Sequence, residues 1–289
     1  MYRIGIIGTE NSHAMAFAKY YNLPHPDTGK HRHENVRVVA VMGDEESTSA
    51  IVRETGVELV VNRPEDMLGK VDAVMITSRR GSVHGEYARP FIPHKIPLFI
   101  DKPFTSDPAE ADALIAEIIA NDCPVAGGSA CKYLPAILEI RDLVAKLRKE
   151  DSFISAAMSF RVDLDSIYDG IYFYSPHLVE MCLAAFGMDV KTVQATRTGK
   201  SLIVTAQYEN DAVSLHFVRA GKQSCVVFGK EQNYYFDIDI AGLYDLEAAP
   251  FAELIQGNHP SLPADVLVKP VHMIAAIKES MESGKAVKL

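Results

Sequence analysis

The feature that most constrains the fold is the alternation of short apolar runs with helical segments over the first 128 residues. The apolar runs are the predicted strands, at residues 2–7, 36–41, 58–61, 71–77, 97–100 and 125–127. Between them, Asp44-Glu45-Glu46 places acids in the first turn of a helix, and Pro108 stands at the first position of another. Repeated β-α-β units predict an α/β domain with a parallel, doubly wound sheet.

After Gly128 the pattern changes to longer runs rich in β-branched and aromatic residues, with loose alternation. An amphipathic helix is predicted at 134–149, and others at 176–186 and 269–282. The predicted strands lie at 153–162, 190–196, 202–209, 212–219, 224–228 and 234–240, with hairpin-like links. We expect a first domain at 1–124 and an α+β domain with a mainly antiparallel open sheet at 125–289. The sequence leaves open whether the last helix packs back on the first domain.

Composition argues against several classes of protein, among them nucleic-acid-binding, disulfide-rich and membrane-spanning proteins. A formal net charge of −9 argues against nucleic acid, which requires a basic surface. Four scattered cysteines without a C-x-x-C pair argue against a disulfide framework or zinc knuckle and favour a reducing compartment. No signal peptide and no membrane-spanning run is recognised, so we expect a soluble cytoplasmic protein. His25, His31 and His33 lie in a polar insert without acids in ligand order, and no metal site is predicted.

The clearest candidate for chemistry is Asp101-Lys102-Pro103, directly after an apolar strand. Substrate clefts of open α/β sheets lie at the carboxyl ends of the strands. Proline restricts the residue before it, so Lys102 is held in an extended or turn geometry. A positioned lysine offers a charge, three donors and a pKa that burial can lower. We therefore expect Lys102 in the active cleft.

The order of these features resembles the Gfo/Idh/MocA family of NAD(P)-dependent oxidoreductases. Asp101-Lys102-Pro103 stands where the family has Glu-Lys-Pro, and the segment 84–88 matches its His-x-Glu-x-Ala. Segments 276–280 and 284–287 match its closing helix and strand, so the resemblance covers essentially the whole chain. It implies a Rossmann-type domain that binds NAD or NADP, and an open-sheet domain that often mediates homo-oligomers. It also implies a sugar, polyol or related hydroxy compound as the small-molecule substrate.

The resemblance also implies residue roles. The cofactor set is Gly8, Thr9, Glu10, Asn11, Ser12, His13, Asp44, Thr77, Ser78, His84, Asp101 and Lys102. The catalytic set is Lys102, which polarises the substrate oxygen, with His177 as acid/base and Tyr174 as a second proton-transfer candidate. The substrate set is Lys132, Tyr133 and Arg79. This mechanism requires the Lys102 ammonium and the His177 imidazole to meet at one substrate.

Two departures from the family pattern keep alternatives open. The first turn has Glu10 and His13 where the family has glycines, and Glu10 would repel a pyrophosphate by roughly 1 kcal/mol in water and roughly 4 kcal/mol near a surface. The helix N-terminus, Ser12 and Asn11 still favour an anion. Phe173 stands four residues before His177, where many members have aspartate. An isomerase or lyase on the same scaffold, or a non-catalytic ligand-binding or regulatory protein, are therefore the competing hypotheses.

Several assignments have a plainer interpretation. Asp44 is the nearest ribose-binding acid, unless Gly43 holds that position. His84 and Asp101 suit structural capping as well as a cofactor contact, and Tyr174 suits packing. Arg79 and its neighbour Arg80 suit a solvated surface more often than a site.

Overall fold

The computed structural model describes residues 1–289, and the chain forms two compact units. The first comprises Met1–Gly128 with Tyr244–Ala264, and the second comprises Ser129–Leu243 with Asp265–Leu289. The sequence placed the boundary after residue 124. It lies later because the strand that follows residue 124 pairs with the first sheet, and a further segment of the chain returns to that unit.

The first unit contains a six-stranded parallel sheet in the order β3-β2-β1-β4-β5-β6. Its strands are β1 (Tyr2–Ile7), β2 (Val36–Met42), β3 (Leu59–Val60), β4 (Ala73–Ile76), β5 (Leu98–Asp101) and β6 (Val125–Gly128). Its first four helices are α1 (Ser12–Asn22), α2 (Glu45–Thr55), α3 (His84–Ala88) and α4 (Pro108–Ala120). The predicted Rossmann-type doubly wound sheet is confirmed. The order changes direction between β1 and β4, where such sheets place their ligands.

The core of the first unit is an aromatic and aliphatic layer on α1 and the central strands. Phe17 of α1 packs edge-to-face on Phe99 of β5, and Phe99 packs in turn on Phe251. Phe251 belongs to a helix at Asp245–Ile255, which the sequence analysis did not predict and which returns to the first unit. The Tyr21 hydroxyl, fully buried, donates to the Ala248 carbonyl of that helix at 2.7 Å.

The second unit contains a seven-stranded sheet in the order β12-β11-β7-β10-β9-β8-β13. Its strands are β7 (Phe153–Arg161), β8 (Thr192–Arg197), β9 (Ser201–Gln207), β10 (Ala212–Val218), β11 (Ser224–Gly229), β12 (Asn233–Asp237) and β13 (Val287–Lys288). Its helices are α5 (Pro135–Lys149) and α6 (Ser175–Phe186); the returning helix of the first unit is α7, and α8 spans Ala264–Ser283.

Only β7 and β10 pair in parallel, so the predicted mainly antiparallel sheet is confirmed. Buried residues alternate with mostly exposed ones along β9 and with half-buried ones along β10, as in a sheet with one covered face. The last helix belongs to this unit, where the Ser280 hydroxyl accepts a hydrogen bond from the Ala195 amide at 2.9 Å. No helix of the chain has both the length and the apolar character needed to cross a bilayer.

Candidate functional site

The carboxyl edge of the first sheet is built around Gly8, which follows β1. Gly8 has φ +97°, and a Cβ there would lie 2.3 Å from the Ser78 backbone nitrogen. The Thr77 hydroxyl donates to the Gly8 carbonyl at 3.0 Å. Only glycine permits this conformation and this close approach. The turn after β1 and the loop after β4 are therefore packed together, which brings the predicted residues Gly8, Thr77 and Ser78 to one place.

Glu10 stands at the position of the second family glycine and is bonded to the loop after β4. Its Oε1 accepts a hydrogen bond from the Arg79 backbone amide at 3.0 Å. The carboxylate thus has a fixed donor within the first unit. The backbone of Arg79, a predicted substrate residue, is committed to this contact.

The N-terminus of α1 is capped by Asn11. Its side-chain oxygen accepts from the His13 amide at 3.3 Å, and its Nδ2 donates to the Thr77 carbonyl at 2.8 Å. Ser12, the first residue of the helix, is exposed, and the first turn contains no acidic residue. A helix N-terminus without local acids attracts anions. Asn11 is therefore a capping residue, while the Ser12 end of the helix stays accessible.

His13 stands at the position of the third family glycine and reaches the end of β5. Its Nδ1 lies 2.6 Å from Asp101 Oδ2, and its ring packs edge-to-face on Tyr244 at 5.0 Å. The other carboxylate oxygen of Asp101 accepts from the Lys102 amide at 2.7 Å. Sequence reasoning treated His13 as a lost glycine and did not foresee that its ring would pair with Asp101.

The Asp101 carboxyl is fully buried yet charged. Burial alone raises its pKa, but the attraction of His13, together with that of Lys102, outweighs burial and holds the pKa below its usual value. Lys102 follows directly and is itself only 2% exposed. A buried lysine is stabilised by a neighbouring negative charge. The end of β5 therefore carries a buried lysine directly after an ionised carboxylate, and the predicted role of Lys102 stays a prediction.

His84, at the start of α3, is fully buried, and its Nε2 lies 2.9 Å from the Ser78 carbonyl. Burial lowers the pKa of this imidazole, which favours the neutral ring. This contact ties α3 to the loop after β4, so His84 has a structural hydrogen bond there, but its side chain does not cap α3.

The end of β2 presents one carboxylate, that of Asp44. It caps α2 by accepting from the amide and the hydroxyl of Ser47, and these hydrogen bonds lower its pKa. Gly43 leaves no room for a side chain, since a Cβ would lie 1.9 Å from the Thr9 hydroxyl. That hydroxyl lies 2.8 Å from the Thr48 hydroxyl. Thr9 is therefore engaged in packing, while Asp44 is exposed.

In the second unit, His177 lies in the first turn of α6 and is buried. Its Nδ1 is 2.7 Å from the Ser129 hydroxyl and 3.6 Å from the Cys131 sulfur. Its ring lies 6.0 Å from that of Tyr174, which is 37% exposed. Phe173 packs on aromatic neighbours, with its ring 4.7 Å from that of Tyr174. A hydroxyl therefore stands beside the imidazole, and no carboxylate precedes it by four residues.

Behind Ser129 lies an ion pair between Lys132 and Glu180, at 2.9 Å and only 6% and 4% exposed. Lys132 Nζ also donates to the Ser129 carbonyl at 3.1 Å, and Glu180 Oε2 accepts from the Ser129 amide at 2.8 Å. The Lys132 ammonium lies 4.8 Å above the Tyr133 ring. The Lys132 ammonium is thus paired with Glu180. The substrate role of Lys132 and Tyr133 stays a prediction.

Sequence reasoning missed Ser129 and Glu180. The available signal was the spacing of Glu180, three residues after His177 on the same helix, which places both on one face. The histidines of the polar insert do not cluster for a metal: His33 packs on the Tyr20 ring and no group of three or more potential ligands is found.

Residues 2–128 match the model of an oxidoreductase family described as having an NAD-binding Rossmann fold. No curated protein sequence matches the chain.

Among solved structures, a probable dehydrogenase from Thermotoga maritima is similar, with a TM-score of 0.82, 17% identity, and coverage of 99% of this chain and 98% of the other. Scyllo-inositol dehydrogenase from Lactobacillus casei with NAD(H) and scyllo-inositol has a TM-score of 0.83, 14% identity, and coverage of 100% and 99%. An oxidoreductase from Agrobacterium radiobacter in complex with NAD+, L-tartaric acid and magnesium has a TM-score of 0.79, 15% identity, and coverage of 99% and 98%. At these identities the likeness concerns the fold. The match of residues 2–128 identifies that segment as an NAD-binding Rossmann fold of the Gfo/Idh/MocA oxidoreductase type.

Proposed function

We propose that the protein is an NAD(P)-dependent oxidoreductase that acts on a polyol, a sugar or a related hydroxy compound. The observation that carries the proposal is the burial of both Asp101 and Lys102 at the end of β5. A buried lysine that directly follows a carboxylate held in its ionised form, at the edge where open α/β sheets bind ligands, suits a group that polarises a substrate oxygen.

The residues of this edge fit a dinucleotide. Gly8 provides the tight turn after β1, and the exposed N-terminus of α1 at Ser12 suits a pyrophosphate. The Glu10 carboxylate is the one feature that opposes an anion, and the Arg79 amide offsets part of its charge. Asp44 would accept hydrogen bonds from the adenosine ribose and repel a 2′-phosphate, so we infer a preference for NAD. When bound, the cofactor supplies or accepts the hydride.

Two of the similar structures support the proposed substrate class. One contains scyllo-inositol and another L-tartaric acid, which are both compounds with adjacent hydroxyl groups. A lysine and an imidazole are suited to such a group, since one holds the oxygen and the other exchanges its proton. We assign the first task to Lys102 and the second to His177. Tyr174 is the second candidate for proton transfer, because its ring is near that of His177 and partly exposed.

The experiment is to incubate the protein with NAD+ or NADP+ and a panel of inositols, linear polyols, sugars and hydroxy acids, and to follow formation of the reduced cofactor. We expect turnover with at least one polyol-like compound, greater with NAD+, and one reduced cofactor for each product molecule. Product formed without net cofactor reduction would identify an isomerase or lyase instead. No turnover with any compound at millimolar cofactor would contradict the proposal.

We also propose that the protein is a homo-oligomer. The face of the second sheet opposite α6 carries Tyr235, 77% exposed, and Ile203, 36% exposed. Exposed apolar side chains on an uncovered sheet face are typical of subunit contacts. Analytical ultracentrifugation should show a mass above that of one chain, and replacement of Tyr235 with Glu should lower it. A single-chain mass at micromolar concentration would contradict this proposal.

A further inference from the structure

The hydroxyl of Ser129 lies beside His177, a histidine that many family members precede by four residues with an aspartate. Ser129 Oγ lies 2.7 Å from His177 Nδ1, and both residues are buried. Phe173, at the sequence position where the aspartate would stand, packs on the rings of Tyr168 and Tyr174. The groups within reach of Nδ1 are therefore the Ser129 hydroxyl, which is the nearer at 2.7 Å, and the Cys131 sulfur at 3.6 Å, and neither is a carboxylate.

The hydrogen bonds of Ser129 determine which partner donates. A serine hydroxyl has one proton to give and can accept two. Its oxygen accepts from the Cys131 amide at 3.2 Å, and His177 Nδ1 is the acceptor within reach of its proton. With Nδ1 accepting, the proton of the neutral imidazole must lie on Nε2.

The hydroxyl cannot easily move away, because the backbone of Ser129 is held on both sides. Its amide donates to Glu180 Oε2 at 2.8 Å, and its carbonyl accepts from Lys132 Nζ at 3.1 Å. Glu180 and Lys132 are themselves paired at 2.9 Å in a buried position. This ion pair thus orients Ser129 rather than contacting the imidazole, and its two charges balance beside His177.

We propose that Ser129 is a positioning residue that holds neutral His177 in the tautomer with its proton on Nε2. A carboxylate has no proton to donate, so it would accept from Nδ1 and leave Nε2 as a proton acceptor. A serine hydroxyl reverses this polarity and makes Nε2–H a donor. Resting on the proposed function, this means that the resting enzyme offers a hydrogen-bond donor at Nε2, which suits the carbonyl oxygen of the oxidised substrate. For each alcohol formed, the imidazole must take up one proton from solvent before it gives one to the substrate oxygen, so that the ring returns to its neutral form.

The tautomer can be measured without any activity. The full-length protein is labelled with ¹⁵N-histidine, His177 is assigned from the variant His177→Asn, and long-range ¹H–¹⁵N spectra are recorded where the ring is neutral. We expect Nδ1 of the wild type to resonate as an unprotonated nitrogen and Nε2 as a protonated one. Ser129→Ala should give a mixture of tautomers, and Ser129→Thr should restore the wild-type signature. A proton on Nδ1 in the wild type, or an unchanged spectrum in Ser129→Ala, would overturn the proposal.

Kinetics supply the second measurement, with a ketone of whichever polyol the panel identifies. Ser129→Ala should lower kcat for carbonyl reduction by about tenfold, as expected for one lost hydrogen bond, with the KM for NADH unchanged. Ser129→Thr should recover most of the rate. Equal kcat in Ser129→Ala would overturn the positioning role. Absence of wild-type turnover would instead refute the proposed function, and the spectra would still decide the tautomer.

Discussion

Each unit contains a buried polar cluster at a place where the chain departs from the family pattern. The replacement residues differ in the chemistry that they bring. In the first, the ring of His13 replaces a glycine and pairs with the Asp101 carboxylate at 2.6 Å. In the second, a carboxylate is missing before His177, and the Ser129 hydroxyl lies beside the imidazole at 2.7 Å. The first contact joins a histidine to a carboxylate next to the candidate lysine, whereas the second joins a hydroxyl to the candidate acid/base.

The comparison shows that a functional group can be contacted by a residue that stands at a different sequence position from the one in the family pattern. His13 brings a group to Asp101 that no glycine could bring, and so the carboxylate stays charged although it is fully buried. Ser129 lies 48 residues before His177 and is joined to it only through the fold. Each departure from the family pattern therefore changes which hydrogen-bonding or charged group lies next to Asp101 or His177.

The largest effect is expected for replacement of Lys102, the lysine assigned to the substrate oxygen. Lys102→Ala should lower turnover by about 10²- to 10⁴-fold, the usual contribution of a group acting on the reacting atoms. Binding of NADH, measured by calorimetry, should change only a few-fold. Lys230→Ala, which removes an exposed ion pair with Asp151, is the matched control and should retain full activity. Loss of turnover below tenfold in Lys102→Ala would remove Lys102 from the chemistry.

Lys132→Met should act on stability, since it leaves the buried Glu180 carboxylate without its cation. Breaking a buried ion pair costs about 3–5 kcal/mol. The double variant Lys132→Met/Glu180→Gln should recover part of this loss, because no uncompensated charge then remains. Chemical denaturation of the three proteins measures the difference. A stable Lys132→Met variant with a raised substrate KM would instead support the predicted substrate contact.

His13→Ala should make the first cluster sensitive to acid. In the wild type the pKa of Asp101 is held below its unfolded value of about 3.9, so its stabilising contribution is complete above that value and is lost as the pH falls through the folded pKa. Without His13, only Lys102 opposes the effect of burial, so the pKa of Asp101 rises relative to the wild type. The thermal midpoint of the variant should therefore fall at higher pH than that of the wild type, with about 3 kcal/mol lost near neutrality. Superimposable pH profiles would show that His13 does not support Asp101.

The smallest effect concerns Glu10. Glu10→Gln should bind NADH about fivefold more tightly, because roughly 1 kcal/mol of repulsion between carboxylate and pyrophosphate is removed. The gain should shrink as salt is added. Glu58→Gln makes the same charge change at an exposed site and should leave the affinity unchanged. Weaker binding by Glu10→Gln would mean that its bond to the Arg79 amide shapes the site more than its charge opposes the ligand.

The sequence was sufficient for the sheets, because the apolar strands and hairpin links follow their periods closely. It failed at α7, where Pro250 lies inside the helix and no strand follows to mark a β-α-β unit. It also began the last helix late, since Pro270 lies within α8. Lys102, Asp101 and Gly8 could be proposed as site residues because each stands at a strand end within a motif that resembles the family pattern. Ser129 and Glu180 could not, since their partners are set by tertiary contact and not by spacing along one strand.

The central claim is that the first unit binds a nicotinamide dinucleotide although two of its three family glycines are replaced. Calorimetric titration of the full-length protein with NADH and with NADPH tests it most directly. We predict saturable binding of one NADH per chain, tighter than that of NADPH. Failure of both cofactors to bind at millimolar concentration would contradict the account.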